Sequence, residues 1–293
     1  MTAKIISGTK IAEEIRGELK QQVQELKAKG ITPGLAVVLV GEDPASISYV
    51  TAKARGAEEV GVYEETFRLP LTATKEQVRA TIEKLNRDDR FHGILVQLPL
   101  PKHIPEAELT WAIDPNKDVD AFHPVNVGKL LIGVPDFLPC TPHGIQELLV
   151  RSGYDPAGKH VVICGRSNIV GRPLMAMLVQ KAKGANATIT VCHTGTKDLA
   201  SFTRQADILV AATGSARLIK ADMVKPGVVV IDVGVNRIPD PTAKSGFRLV
   251  GDVDFDPVKE KAEAITPVPG GVGPMTVTML LDNTIRAARK KLK

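Results

Sequence analysis

The sequence contains few aromatic residues, few cysteines and no long apolar stretch. Aromatic side chains make up 4% of the 293 residues, so the cores must be built from aliphatic side chains, as in buried parallel strands covered by helices. The three cysteines include no C-x-x-C pair, which argues against a disulfide framework or a zinc knuckle and favours a cytoplasmic location. The apolar run Leu35–Val40 is far shorter than the roughly 20 residues of a membrane span, so we expect no membrane segment.

Signatures of several protein classes are also missing. The six histidines are dispersed and nothing resembles H-E-x-x-H, so the sequence predicts no catalytic metal. A formal charge of +5 raises the possibility of a nucleic-acid partner. The longest basic cluster, however, lies at the C-terminal end of a predicted helix, where cations complement the helix dipole. We therefore expect no nucleic-acid partner. The cluster comprises Arg289, Lys290, Lys291 and Lys293.

Length and hydrophobic periodicity predict an α/β protein of two domains, since one domain takes roughly 150 residues. The first half predicts a helix over Thr9–Lys29, a strand over Leu35–Val40, a helix from Pro44 to Gly61, a strand over Val62–Phe67, a capping box at Thr74 and Gln77, and a strand over Gly93–Leu98. A long ordered loop is predicted over Asp114–Pro139. The second half predicts a helix after Pro142, strands over His160–Cys164, Ala187–Cys192, Asp207–Ala212 and Val228–Val233, and helices over Gly171–Lys181 and Pro274–Lys293. This alternation is typical of parallel βαβ units.

A dinucleotide site is predicted where the strand His160–Cys164 runs into a glycine turn and a helix. Such a turn lets backbone N–H groups approach a pyrophosphate, although this one departs from G-x-G-x-x-G and an ordinary strand-to-helix turn is the alternative. The end of the next strand, Cys192-His193-Thr194, carries no carboxylate for a ribose 2′-hydroxyl. Arg166 in the glycine turn could instead pair with a 2′-phosphate. These residues favour NADP over NAD.

Chemistry-bearing residues also stand in the first half. Tyr49 and Lys53 lie four apart and so share one helix face, where an aromatic ring and an amine could hold a planar substrate. Gln97 ends a strand and could hydrogen-bond the lysine. Asp120 lies two residues after Asp118 and could accept N–H bonds from a heteroaromatic ring. The alternatives are a surface pair for Tyr49 and Lys53, a polar residue capping the sheet for Gln97, and ordinary turn chemistry for the two aspartates.

Six motifs in this order resemble the bifunctional methylenetetrahydrofolate dehydrogenase/methenyltetrahydrofolate cyclohydrolase family over nearly the whole chain. They are Gly41–Ser46 leading to Tyr49 and Lys53, Val96–Pro101, Pro115–Asp120, Pro139–Pro142, Gly165–Gly171 and Pro269–Thr276. The resemblance implies oxidation of 5,10-methylenetetrahydrofolate with NADP⁺, followed by hydrolysis to 10-formyltetrahydrofolate. It thus implies an oxidoreductase and hydrolase of one-carbon metabolism that supports purine, histidine and methionine biosynthesis. It also implies a homodimer.

The resemblance further implies an α/β folate-binding domain over residues 1–140 and 268–293, to which the C-terminal helix returns, and a Rossmann-like NADP-binding domain over residues 141–267. In the folate-binding domain Lys53 would be the main catalytic group, Gln97 would tune it, Tyr49 would stack on the folate and Asp120 would hold the pterin. The remaining implied roles are contacts to NADP by Gly165, Arg166, Ser167, Thr194 and Val235, and contacts to substrate by Pro269, Gly270 and Gly271.

One residue departs from the family pattern, which has glycine after the aspartate where this chain has Ala121. Alanine tolerates a positive φ less well than glycine, so this change affects the placement of Asp120 more than any other part of the inferred site.

Three other interpretations remain at this point. A member of the same family with only one of the two activities fits the same motifs. A short-chain reductase shares the Tyr-x-x-x-Lys spacing, but its glycine turn precedes the tyrosine. A basic nucleotide- or nucleic-acid-binding protein would leave Tyr49, Lys53, Gln97 and Asp120 unexplained.

Overall fold

The computed structural model of the protein describes residues 2–243 and 246–292. Lys293, where the last predicted helix and the basic cluster end, lies outside the described residues. In chain order the strands are β1 (Lys4–Ile5), β2 (Gly34–Val40), β3 (Tyr63–Leu69), β4 (Gly93–Val96), β5 (His160–Cys164), β6 (Thr188–Cys192), β7 (Ile208–Ala211), β8 (Val229–Asp232), β9 (Asn236–Pro239), β10 (Phe247–Val250) and β11 (Ala264–Ile265).

Helices cover much of the remaining chain. They are α1 (Gly8–Ala28), α2 (Pro44–Val60), α3 (Lys75–Arg87), α4 (Glu106–Thr110), α5 (Pro124–Leu131), α6 (Cys140–Arg151), α7 (Gly171–Leu178), α8 (Leu199–Thr203), α9 (Phe255–Lys259) and α10 (Val272–Arg289). Two short 3-10 turns cover Ala221–Met223 and Lys290–Leu292. Among the described residues, no helix combines the length and apolar character needed to cross a membrane.

The chain divides into two compact units. The three-stranded unit comprises residues 13–140 and those from 277 on, and the six-stranded unit comprises residues up to 12 and 141–276. The predicted domain ranges differ from this division at residues up to 12 and at 268–276. The N-terminal residues group with the six-stranded unit because β1 pairs with β11, a pairing that two residues of strand do not reveal in the sequence.

The three-stranded unit is built on a parallel sheet of order β3-β2-β4. All seven residues of β2 are buried, as expected for the central strand of a parallel sheet covered by helices. Helix α3, which begins with the predicted capping box at Thr74 and Gln77, buries apolar side chains in the same core. The backbone N–H of Gln97 donates to the Val38 carbonyl at 2.9 Å. Gln97 therefore lies at the carboxyl end of the sheet.

The six-stranded unit is a parallel sheet of order β1-β11-β8-β7-β5-β6. The glycine turn at Gly165 follows the strand β5, which lies between β6 and β7. Valine, isoleucine, leucine and cysteine side chains form the buried core of the six-stranded unit, as the low aromatic content requires. The antiparallel pair β9 and β10 forms a separate two-stranded ribbon.

Most predicted elements are present with their ends shifted by a few residues. The prediction of a loop throughout Asp114–Pro139 is wrong, because this segment contains α5. Pro124 at the first helical position and the side chain of His123, which accepts from the Val125 N–H at 3.1 Å, begin that helix. Eight residues are too few for apolar periodicity to reveal a helix. The ribbon was also not predicted.

Candidate active site

Helix α2 places Lys53 inside the three-stranded unit. The Asp43 side chain accepts from the Ser46 N–H at 2.8 Å, Pro44 occupies the first turn, and Gly61 ends the helix with a φ of 84°. Lys53 lies on the buried face of this helix together with Val50 and Ala57 and is only 8% exposed, whereas Tyr49 is 42% exposed. The predicted pair therefore presents a buried amine and an accessible aromatic ring.

Gln97 holds the Lys53 amine. Lys53 Nζ donates to Gln97 Oε1 at 2.7 Å, and Gln97 Nε2 donates to the Leu98 carbonyl at 2.6 Å. Since the amide nitrogen is engaged by a carbonyl, only its oxygen can face the lysine. Burial lowers the pKa of Lys53, an effect that the nearby Asp120 carboxylate partly opposes. The hydrogen bond predicted between lysine and glutamine is present.

The loop Lys117–Phe122 lies beside the start of β4 and carries Asp120. The Ile94 N–H donates to the Lys117 carbonyl at 2.8 Å, and Gly93 has no β-carbon that would collide with Val119. The backbone makes a turn here rather than an extended segment, and Ala121 has a φ of 60°. The left-handed conformation that glycine would adopt at lower cost is thus present at the alanine.

Asp118 and Asp120 have different partners in this loop. The Asp118 carboxylate accepts from the backbone N–H of His123 at 2.8 Å and from Asn126 Nδ2 at 2.8 Å, so it holds the loop together. Asp120 instead interacts with Lys53 and with the Cys140 thiol. Burial raises the pKa of Asp120 to about 6, while Lys53 acts in the opposite direction. The turn chemistry considered for this motif applies to Asp118.

Sequence reasoning missed two residues of this site, Cys140 and Asn283. Cys140 is buried beside Asp120, and burial raises its pKa well above the usual value, which keeps the thiol neutral. Asn283 of α10 donates through Nδ2 to the carbonyls of Val119 at 2.8 Å and Leu138 at 2.7 Å. It therefore ties together the two segments that carry Asp120 and Cys140. The sequence signal for Asn283 was a polar residue within the apolar face of a predicted helix.

The glycine turn after β5 lines a cavity of about 410 Å³ in the six-stranded unit. The residues around it include Gly165, Arg166, Ser167 and Thr194. Gly165 has a φ of 134°, and a β-carbon there would collide with the Ala212 carbonyl. The Ser167 hydroxyl accepts from the Val170 N–H at 3.2 Å just before α7. A cradle of bare backbone, an exposed guanidinium and a helix start fit a dinucleotide phosphate.

The other predicted contacts lie elsewhere in the six-stranded unit. Val235 follows β8, is 51% exposed and is not among the residues around this cavity. Pro269, Gly270 and Gly271 form the turn before α10, and the Gly270 carbonyl accepts from the Thr9 N–H at 3.1 Å. Their contacts with substrate stay a prediction.

Two family models match the chain. Residues 6–120 match the catalytic domain of tetrahydrofolate dehydrogenase/cyclohydrolase, and residues 139–292 match the NAD(P)-binding domain of the same enzymes. The chain belongs to the tetrahydrofolate dehydrogenase/cyclohydrolase family. Identity over almost the full length supports this membership. The bifunctional protein FolD of Syntrophus aciditrophicus is 60% identical over 289 residues, which cover 99% of this chain and 98% of that protein.

Solved structures of this family have the same architecture. The bifunctional FolD of Campylobacter jejuni is 49% identical, superposes with a TM-score of 0.93 and matches over 99% of both chains. The Trypanosoma brucei FolD, solved with NADP cofactor and an inhibitor, is 40% identical, with a TM-score of 0.94 over 100% of this chain and 99% of that one. The predicted family, two-domain α/β fold, bifunctional enzyme class and NADP cofactor are therefore confirmed.

Replacing Ala121 with glycine tests the cost of the left-handed residue in the Asp120 loop. We expect Ala121→Gly to change the free energy of unfolding by less than about 1 kcal/mol. The strain released is about 1–2 kcal/mol. It is offset by the loss of a buried methyl group, about 0.8 kcal/mol, and by the greater freedom of glycine in the unfolded chain, about 0.4–1 kcal/mol. Chemical denaturation measures the change.

The matched control is Ala57→Gly, at a buried alanine in α2. There the substitution loses both a methyl group and helix propensity and should cost about 2 kcal/mol. Equal destabilisation by the two substitutions would show that Ala121 carries no strain.

Proposed function

We propose that this chain oxidises 5,10-methylenetetrahydrofolate and hydrolyses the methenyl product to 10-formyltetrahydrofolate, with Lys53 as the group that handles protons. The observation that carries the proposal is a buried lysine amine hydrogen-bonded at 2.7 Å to an amide oxygen and paired electrostatically with Asp120. A lysine is seldom buried unless its amine is paired, and buried amines with a shifted pKa are enriched at functional sites. A surface pair, the alternative for Tyr49 and Lys53, does not explain its burial.

The cofactor would be held by the glycine turn and its neighbours. Gly165 admits the pyrophosphate close to the backbone, Ser167 completes the helix start, and Arg166 with Thr194 faces the 2′-phosphate. When bound, NADP⁺ supplies the acceptor for the hydride. We also assign Val235 a backbone contact to the cofactor, and Pro269, Gly270 and Gly271 contacts to substrate.

Lys53 would act as the base in the hydrolytic step. Water must lose a proton as it attacks the methenyl carbon, so a nearby acceptor is needed. Desolvation favours the neutral amine, whose lone pair is free to take that proton. Because the Gln97 amide can only accept from the lysine, it orients one N–H and leaves the lone pair directed elsewhere.

Asp120 and Tyr49 would bind the substrate rings. An ionised Asp120 can accept two N–H bonds from the pterin, and the neutral thiol of Cys140 also hydrogen-bonds to this carboxylate. The accessible ring of Tyr49 offers a flat apolar surface for stacking one turn of helix away from Lys53. Substrate binding and proton transfer are therefore assigned to neighbouring groups on α2 and the Asp120 loop.

Removing the amine tests the assignment of Lys53. We expect Lys53→Met to lower the rate of methenyltetrahydrofolate hydrolysis by about 10²–10⁴-fold, the usual contribution of a positioned base. The loss of methenyl substrate is followed in the absence of cofactor. Arg55→Met is the matched control, because Arg55 is exposed on the same helix, and it should retain the wild-type rate within about twofold. Full hydrolysis by Lys53→Met would remove Lys53 from the mechanism.

The pH dependence of hydrolysis tests the role of Asp120. Its pKa is raised to about 6, so the carboxylate is protonated as the pH falls below that value and can then no longer accept two N–H bonds. We expect KM for methenyltetrahydrofolate to rise, and kcat/KM to fall, between pH 7 and pH 5. Initial rates across this range measure both.

His123 follows the loop closely and is therefore the position of the control variant. The control His123→Asn keeps an N-cap side chain for α5 and should retain the fall in kcat/KM between pH 7 and pH 5. The role of Asp120 would be contradicted if His123→Asn lost this fall in kcat/KM, or if KM of the wild-type chain stayed constant from pH 7 to pH 5.

The chain is further proposed to act as a cytoplasmic homodimer. Its three free cysteines are buried and suit a reducing compartment. An isolated two-stranded ribbon is only marginally stable in water, so β9 and β10 need a further packing surface, which a second copy can supply. Sedimentation equilibrium should give twice the mass of 31.4 kDa, and a monomeric mass at micromolar concentration would rule out the homodimer.

A further inference from the structure

The side chain of Asp252 joins two loops of the six-stranded unit. It is fully buried just after β10. One carboxylate oxygen, Oδ2, accepts from the backbone N–H groups of Thr213 at 2.5 Å and Gly214 at 3.0 Å. The other, Oδ1, accepts from Asn236 Nδ2 at 2.9 Å. A single carboxylate therefore fixes the loop after β7 and the start of β9, where the loop after β8 ends.

The surrounding residues are arranged to hold Asp252 in that position. Asp232 Oδ1 accepts from the Asp252 N–H at 2.9 Å, and Asp232 Oδ2 accepts from the Val253 N–H at 3.0 Å. A β-carbon at Gly234 would collide with the Asp252 carboxylate, and one at Gly251 would collide with Asp232. Hydrogen bonds to charged acceptors are stronger than neutral ones. Asp232 thus holds the backbone at Asp252 and Val253, and the Asp252 side chain in turn holds the loop after β7 and the start of β9.

The loop after β7 is part of the wall of the dinucleotide cavity. Thr213 and Ser215 line that cavity, and the Ser215 N–H donates to Thr213 Oγ1 at 3.2 Å. The Ala212 carbonyl packs where Gly165 has no β-carbon. A shift of Thr213 would therefore change the cavity at its Ala212 side.

Strand order decides which half of the cofactor this wall would face. Arg166 and Thr194, assigned to the 2′-phosphate, follow β5 and β6, and β6 is at the edge of the sheet. The rest of the dinucleotide must then extend across β7 towards β8, about 14 Å from β6 at roughly 4.8 Å per strand. The two loops that Asp252 joins follow these strands. They lie on the side left for the nicotinamide half.

We propose that Asp252 is a positioning residue that aligns the nicotinamide half of NADP by holding together the Thr213–Gly214 loop and the start of β9 at Asn236. The proposal rests on the proposed function of the glycine turn as the phosphate site. Asp252 does not itself touch the cofactor. Its effect is exerted through the backbone of Thr213 and Gly214.

The test compares whole NADP⁺ with its adenosine half. Isothermal titration calorimetry of Asp252→Ala should show Kd for NADP⁺ raised by about tenfold or more, because two charge-assisted hydrogen bonds to the loop are lost. Kd for adenosine 2′,5′-bisphosphate should stay within about twofold of wild type. Hydrolysis of methenyltetrahydrofolate without cofactor should also be retained, which shows that the three-stranded unit is intact.

Two further variants complete the experiment. Asn236→Ala removes the bond between Asp252 and the start of β9, together with a longer bond to the Val250 carbonyl at 3.5 Å, and leaves the bonds to Thr213 and Gly214 in place. It should raise Kd for NADP⁺ by about threefold, so it replaces Asp252→Ala if that variant does not fold. Asp254→Asn is the matched control, because Asp254 lies two residues further on and pairs with Lys220 at 3.1 Å. It should leave both dissociation constants unchanged.

Three results would overturn the proposal. Unchanged affinity for NADP⁺ in folded Asp252→Ala or Asn236→Ala would show that the carboxylate only stabilises the fold. Equal weakening of NADP⁺ and adenosine 2′,5′-bisphosphate would place its effect on the phosphate site rather than on the nicotinamide half. If the wild-type chain bound neither ligand, the proposed function of the glycine turn would fail as well, which separates the two failures.

Discussion

The candidate active site depends on keeping ionisable groups out of water next to one another. Lys53, Asp120 and Cys140 lie together at the end of a parallel sheet, where burial disfavours the charged form of each. Burial lowers the pKa of Lys53 and raises the pKa values of Asp120 and Cys140. Their mutual attraction recovers part of the cost of desolvation, since Lys53 and Asp120 oppose each other's shift. For Lys53, desolvation is the larger of the two effects, so the neutral amine is favoured relative to a lysine in water, as proton exchange with water requires.

Such a site requires a rigid frame, because a buried amine without a fixed acceptor would be costly. The frame is made of backbone groups held by side chains that do no chemistry. Gln97 is fixed by its own neighbour's carbonyl, Asp118 holds the loop that carries Asp120, and Asn283 ties that loop to the start of α6. The six-stranded unit uses the same device with Asp232 and Asp252, whose carboxylates order the loops around the dinucleotide cavity.

Much of the fold could be predicted from the sequence because its strands are continuous apolar runs and its helices carry strong end signals. Pro44 and Gly61 begin and end α2 as predicted, and the capping box at Thr74 is formed. The elements that escaped prediction are short or depend on distant partners. Helix α5 has eight residues, and β1 is a strand only because β11 lies beside it.

The sequence by itself determined the order of the longer strands and helices, the family and its cofactor, and the main residue types of the candidate site, because these follow from local patterns and motifs. Tertiary structure alone decided that Lys53 is buried and Tyr49 exposed on one helix face, that Asp118 holds a loop while Asp120 faces the lysine, and that Cys140 and Asn283 support them. The physical reason is that burial, and with it the pKa of each group, depends on segments far apart in the chain, which a linear pattern does not encode.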